Sequence, residues 1–236
     1  MKILALETSA KSCSVAVAEQ DTLLGCSYLN SSLTHSATLL PMVERLLSDL
    51  GLSPKALDGI AVSAGPGSFT GLRIGIAAAK GLAWANDLPC LGVSTLEAMA
   101  LPLSHASAEL ICAMDARRNQ VYNACFQAQD NRLTRLTPDR ALGLDELAQE
   151  LQTDPLPKIV VGDGALLCYH YLIEHHTPCT LAPTHLRMQS AVGVAQAAQN
   201  ASASAWGDAQ SLVPRYLRLS QAERERQERL QKEKEL

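Results

Sequence analysis

Aromatic residues are scarce in this 236-residue chain, at 4%. Its interior must therefore be aliphatic and Ala-rich, and 47% hydrophobic residues are enough to build one. No apolar run is long enough to cross a bilayer, and Met1-Lys2 opens directly on a strand-like segment rather than on a leader. The expectation is a cytoplasmic protein with no membrane contact. Positive charge is not in excess: 20 Lys+Arg stand against 24 Asp+Glu, a net charge of −4. That excludes a broad nucleic-acid face on this chain alone. The seven cysteines (13, 26, 90, 112, 125, 168, 179) are odd in number, widely spaced and form no C-x-x-C. They read as reduced, mostly buried thiols, which excludes a disulfide framework or a zinc site.

The most informative stretch runs from Gly59 to Asn86, GIAVSAGPGSFTGLRIGIAAAKGLAWAN. Ile60–Ala64 reads as a buried strand, Gly65-Pro66-Gly67 as a rigid loop, and the residues from Leu72 as a helix with Ser68 or Thr70 at its cap. Two phosphate loops can be tested against it. After Gly65 the P-loop's Lys-Ser/Thr is missing, and the third glycine of G-x-G-x-x-G comes one residue late, at Gly71. Within the helix, Gly75, Ala79 and Ala83 recur four apart. Small residues at that spacing let backbones approach closely, which fits packing on the helix's own sheet and also contact with a partner helix.

Along the chain, Lys2–Leu6, Ser12–Glu19 and Thr22–Leu29 predict an antiparallel meander. Glu7-Thr8-Ser9 places a carboxylate and two hydroxyls at a strand end, able to hold a hydrated Mg²⁺ or a phosphate, or to serve as an ordinary turn. A helix capped by Ser31 or Ser32 follows, kinked at Pro41, with Leu39, Leu40, Val43, Leu46 and Leu47 on its apolar stripe and His35 and Met42 beside it. Ser94 and Glu97 form a capping-box pattern. Leu110–Met114, Asp115 and Val121–Phe126 then repeat the N-terminal plan with Glu7 on Asp115. Gly162-Asp163-Gly164 repeats the strand-then-glycine plan of Gly65-Pro66-Gly67. Two matches in the same order predict two halves of one design. His170 and Glu174 are one helical turn apart, but a surface helix accounts for them better than a metal site. Gln221–Glu235, with five acidic and five basic residues, reads as a solvated helix.

Duplicated antiparallel strands, helix, strand, Gly loop and helix resemble the actin/hexokinase-like ATPase architecture, an α/β fold with two lobes. The expected lobes are 1–103 and 104–213, with 214–236 packing back on the first. More closely, ILALETS…CSVA, HSATLLP, GPGSFTGLRIGIAAAKGLA, STLEAMA, DARRNQVY, GDGA and PRYLR stand in the order of the TsaB (YeaZ) family. The resemblance implies a paralogue of the catalytic subunit TsaD. That enzyme transfers a threonylcarbamoyl group from threonylcarbamoyl-AMP to the adenosine beside the anticodon of tRNAs reading codons that begin with A. It further implies a heterodimer with TsaD, a homodimer when alone, participation of the ATPase TsaE, and tRNA contact only through the complex. The metal pair H-x-x-x-H of the catalytic paralogue is missing, because His35 is followed four residues on by Leu39. A non-catalytic subunit is therefore expected. The implied partner surface comprises His35, Leu39, Met42, Arg73, Gly75, Ile76, Ala79 and Lys80. A degenerate nucleotide site comprises Glu7, Thr8, Ser9, Asp115, Gly162 and Gly164, with no cofactor required and at most weak ATP or ADP with Mg. The alternatives are an independent actin-like ATPase or small-molecule kinase, and a peptidase. The peptidase has no H-E-x-x-H or G-x-S-x-G to support it.

Overall fold

Lys2–Glu7 (β1), Cys13–Glu19 (β2) and Thr22–Leu29 (β3) form an antiparallel meander, as connections this short require. The computed structural model describes residues 1–152 and 156–218. His35–Asp49 (α1) starts after Thr34 rather than after Ser31 or Ser32, and runs through Pro41. Gly59–Gly65 (β4) then pairs parallel with β1, Phe69–Asn86 (α2) crosses back over the sheet, and Cys90–Ser94 (β5) pairs parallel with β4. The strand order is β3-β2-β1-β4-β5. β4 is buried along its whole length and β1 beyond Lys2, so both read as continuous apolar runs rather than alternating ones.

After Thr95–Ala100 (α3) the design recurs. Ala108–Asp115 (β6), Gln120–Gln129 (β7) and Arg132–Arg135 (β8) form a second meander, with Arg140–Gly143 (β9) also on β7. Leu144–Leu151 (α4) leads to Lys158–Val161 (β10), which is parallel to β6; Ala165–Glu174 (α5) leads to Thr180–Leu181 (β11), parallel to β10. The order β8-β7-β6-β10-β11 is that of the first sheet. Both central strands end on an acid, Glu7 and Asp115. The fold is α/β with two lobes of one actin/hexokinase-like plan.

Thr184–Arg187 (α6) and Ala191–Asn200 (α7) close the described helices. Packing does not divide the chain at residue 104. α7 lies on the first sheet, where Ala191, Val194, Ala195 and Ala198 meet Ile3, Ala5, Ala16 and Ala18. α3 faces the second, with Leu96, Met99 and Ala100 against Leu110, Cys112, Met114 and Phe126. The two helices cross closely, since a Cβ on Gly193 would stand 1.8 Å from the carbonyl oxygen of Ala98. Beyond α7, Leu212 joins the first core, and the N–H of Arg215 donates to the carbonyl of Ala64 at 2.6 Å. The expected helix at 221–235 lies outside the described residues.

Candidate functional site

The glycine loop between β4 and α2 is held by the first acidic turn. Ser68 N–H donates to the carbonyl of Ser9 at 2.7 Å, and Ser68 Oγ accepts from Gly71 N–H at 3.2 Å, capping α2. Thr8 Oγ1 donates to the carbonyl of Gly71 at 2.8 Å. A Cβ on Gly71 would lie 2.1 Å from the Thr8 carbonyl oxygen, and one on Gly75 would lie 2.3 Å from Thr8 Oγ1. The small-residue stripe therefore seats α2 on its own sheet.

This corrects the expected partner surface. Leu39, Ile76 and Ala79 lie in the first core, and Gly75 is buried against Thr8 and Val62. All four are buried, because α1 packs on β2 and β3 and α2 packs on β4 and β1. The other four lie at or near the surface. His35 is half-buried, with Nε2 2.7 Å from the carbonyl of Ala10. Met42 is half-buried against the core. Arg73 lies over the Phe69 ring, 3.8 Å from its centroid, and Nε donates to Tyr216 Oη at 3.0 Å. Lys80 donates to the carbonyl of Gln210 at 3.3 Å. The open sides of the two helices carry different residues: Ala77, Gly81 and Trp84 on α2, Leu40 on α1 and Leu33 just before it. Trp84 is 87% exposed and Leu33 61%. Four-residue spacing of small side chains could not reveal which side met the sheet.

The two acidic turns have unequal fates. Glu7 is fully buried: Oε1 accepts from the N–H of Ser9 at 2.5 Å, and Oε2 accepts from Ser63 Oγ. Burial pushes its carboxyl above the ordinary range, against the pull of those hydrogen bonds. Thr8 is buried with it. Asp115 is exposed, with Oδ1 accepting from Arg117 N–H at 2.7 Å. A cleft of about 540 Å³ opens beside it, lined by Ser9, Lys11, Phe69, Arg117, Asp163 and Arg218 among others. The cleft thus unites Ser9 and Asp115 and leaves Glu7 and Thr8 behind its wall.

Gly162 and Gly164 serve the fold. The N–H of Gly162 donates to Arg187 at 2.7 Å and that of Gly164 to Ala113 at 3.1 Å, so neither is offered to a ligand. The residue between them, Asp163, does line the cleft. Gln189 Nε2 donates to its Oδ1 at 2.7 Å. Burial raises its carboxyl, Asp115 adds to the rise, and Lys11 opposes it. The sequence pattern does not mark Asp163, which is the variable position of a G-x-G turn. Ser9 Oγ is buried without a hydrogen-bond partner. Among the described residues, no three His, Cys, Asp or Glu side chains are grouped to hold a metal, and no helix is long and apolar enough to cross a membrane. Just after α5, His175 stacks on Tyr171 with ring centroids 4.1 Å apart.

The chain is similar to known proteins in sequence and fold. Residues 29–226 match the family described as TsaD, tRNA N6-adenosine threonylcarbamoyltransferase. A Bacillus subtilis protein named tRNA threonylcarbamoyladenosine biosynthesis protein TsaB is 33% identical over 229 residues, 94% of this chain and 96% of that one. Its Escherichia coli namesake is 39% identical over 133 residues, 56% of this chain and 57% of that one. The solved structure of YeaZ from Pseudomonas aeruginosa superposes with a TM-score of 0.78 at 31% identity, covering 92% of this chain and 99% of that one.

Proposed function

The chain belongs to the TsaB (YeaZ) family, and from that premise we propose that it is the non-catalytic subunit of a tRNA threonylcarbamoyladenosine-forming complex. The observation that carries this reading is one-third identity to a protein named for that biosynthesis, sustained over nearly the full length of both chains. Its partner is a TsaD-type catalytic subunit of the same duplicated fold, with a TsaE-type ATPase joining for turnover. Alone, the chain pairs with itself through the same surface. The sequence supports the division of labour, since Leu39 stands where the catalytic paralogue's second metal-ligating His would be, and its side chain is in the core. Glu7 is fully engaged by Ser9 and Ser63, which counts against an independent ATPase. Assembly needs no nucleotide on this chain.

The docking surface in this reading is the open side of α1 and α2. Leu33, Leu40 and Trp84 supply exposed apolar area, and Ala77 and Gly81 leave the α2 backbone accessible to close approach. Mixing the purified chain with a TsaD-type subunit should give a stable 1:1 complex by size-exclusion chromatography with light scattering. Ala77→Arg or Trp84→Arg should abolish it while leaving the circular dichroism of the free chain unchanged. The reading fails if no complex forms, or if the purified chain alone modifies a tRNA transcript.

A further inference from the structure

We propose that the rim of the cleft is an RNA-contacting surface, across which the phosphate backbone of the tRNA substrate runs; this rests on the tRNA-modification reading above. Three cations from three parts of the chain line the cleft: Lys11 from the first acidic turn, Arg117 from the second and Arg218 from the C-terminal segment. Arg118 follows Arg117 in the same exposed turn. None of them forms a salt bridge among the described residues, whereas Arg45, Arg135 and Arg140 all do. A net charge of −4 conceals such a local patch, because it sums the acids of every other surface.

The turn that presents two of these arginines is built at a conformational cost. Arg117, Arg118 and Asn119 have φ of 66°, 56° and 55°, three successive left-handed residues without a glycine. Asp115 Oδ1 holds the N–H of Arg117, Gln120 N–H donates to Arg117 at 3.2 Å, and Leu144 N–H donates to Asn119 at 3.2 Å. Arg218 Nη1 donates to the carbonyl of Ala116 at 2.8 Å, which fixes the third arginine beside the first two. The carboxylates facing them are already engaged, Asp115 by that turn and Asp163 by Gln189.

Two features select a polynucleotide over a free nucleotide. The cations come from three separate segments of the chain, and the N–H groups of Gly162 and Gly164 are taken by Arg187 and Ala113 rather than offered to a triphosphate. Beside the rim, Tyr216 is 40% exposed and stacks on Phe69 at 4.8 Å, offering an aromatic face to an unpaired base. Ser9 lies in the cleft wall next to the start of α2, where the N–H groups of Phe69 and Thr70 lack helical acceptors.

The test uses the full chain and a fluorescently labelled unmodified tRNA transcript, read by anisotropy across a salt series. Wild-type protein should bind at low salt and weaken steeply with salt. The pair Arg117→Glu with Arg118→Glu should weaken binding at least about tenfold and lower the slope of log K against log salt by about 2. Arg117→Ala with Arg118→Ala should lower the slope equally with less loss of affinity. Arg132→Glu, on β8 outside the cleft, should leave both unchanged. The proposal is overturned if wild-type protein does not bind at low salt, if folded charge-reversed protein binds as wild type, or if ATP or ADP displaces the transcript at micromolar concentration. The same variants mixed with the TsaD-type subunit separate the two readings. Retained 1:1 complex with no transcript binding by the wild-type chain defeats the surface alone, and loss of complex by wild-type protein defeats the parent reading.

Discussion

Thr8 donates its hydroxyl to the carbonyl oxygen of Gly71 across 2.8 Å, and a Cβ on Gly75 would stand 2.3 Å from that same hydroxyl oxygen. The turn after β1 and the first two turns of α2 therefore interlock, with Thr8 filling the space left by two missing side chains. One added methyl must move a buried, hydrogen-bonded group. Gly75→Ala should destabilise the chain by about 1–3 kcal/mol, the cost of overpacking. It should be read as a lower urea midpoint at unchanged m. Gly71→Ala should cost more, because the atom it meets is the backbone oxygen of Thr8 rather than a side chain that can rotate.

Leu39 and Leu40 are neighbours with opposite roles. Leu39 is 1% exposed in the core beneath α1, and Leu40 is 50% exposed on the open side. Leu39→Ala should cost about 2–5 kcal/mol of stability through the cavity it leaves. Leu40→Ala should stay within about 0.5 kcal/mol of wild type while weakening association with a TsaD-type subunit. Chemical denaturation and a binding titration on both variants check the pair. A Leu40→Ala protein that binds as wild type would remove α1 from the docking surface.

The contrast shows which parts of the molecule were legible. The duplicated plan could be read because it depends on strands and turns repeated in order, and β1 and β6 do end on Glu7 and Asp115. Which side of α2 faced inward was not readable, because small residues occur on both: Gly75 and Ala79 inside, Ala77 and Gly81 outside. The exchange of α3 and α7 between the sheets was equally hidden, since an Ala-rich helix carries no mark of which sheet it will cover. Glu7 and Asp115 match as letters but not as environments. Only the fold shows that Ser63, from a strand distant in sequence, joins Ser9 in holding the first, while the second stays in solvent. Asp163 was missed because its chemistry comes from burial beside Gln189, not from a motif.

Thiol accessibility gives a quantitative check on the core. Cys26 is exposed and Cys179 half-buried, while Cys13, Cys90, Cys112, Cys125 and Cys168 are buried. Burial pushes the thiols of Cys125 and Cys168 up to about 12 and that of Cys90 up to about 11. The thiolate is the reactive form, so these groups are protected twice, by access and by protonation. In native protein, Ellman's reagent near neutral pH should titrate Cys26 quickly and Cys179 slowly, and the remaining five only after denaturant is added. Fast native reaction of a third thiol would contradict the cores described for the two sheets, Cys13 and Cys90 lying in the first and Cys112, Cys125 and Cys168 in the second.

The pH dependence of stability should carry the signature of Glu7. Its folded carboxyl lies above the unfolded value because burial outweighs the hydrogen bonds from Ser63 and Ser9. Below the ordinary glutamate value of about 4.3, both states hold the proton and the group leaves stability intact. Above it, the unfolded chain releases its proton first, so the native state binds more protons and the slope of stability against pH is negative. The loss is complete once pH passes the raised folded value. Asp163 moves in the same direction for the same first reason, and so adds to the slope. Unfolding free energies measured from about pH 4 to pH 8, across the ordinary carboxylate range and beyond it, should show wild type losing ground to Glu7→Gln as pH rises. Gln keeps an oxygen acceptor at the site but cannot ionise, so its curve lacks this decline. Asp163→Asn should remove a further part of the decline, and the double variant should be the flattest of the four. A wild-type advantage that grows with pH is the behaviour of an acid stabilised by its charge; observing it would mean that Glu7 is ionised at no cost and is not the buried acid described above.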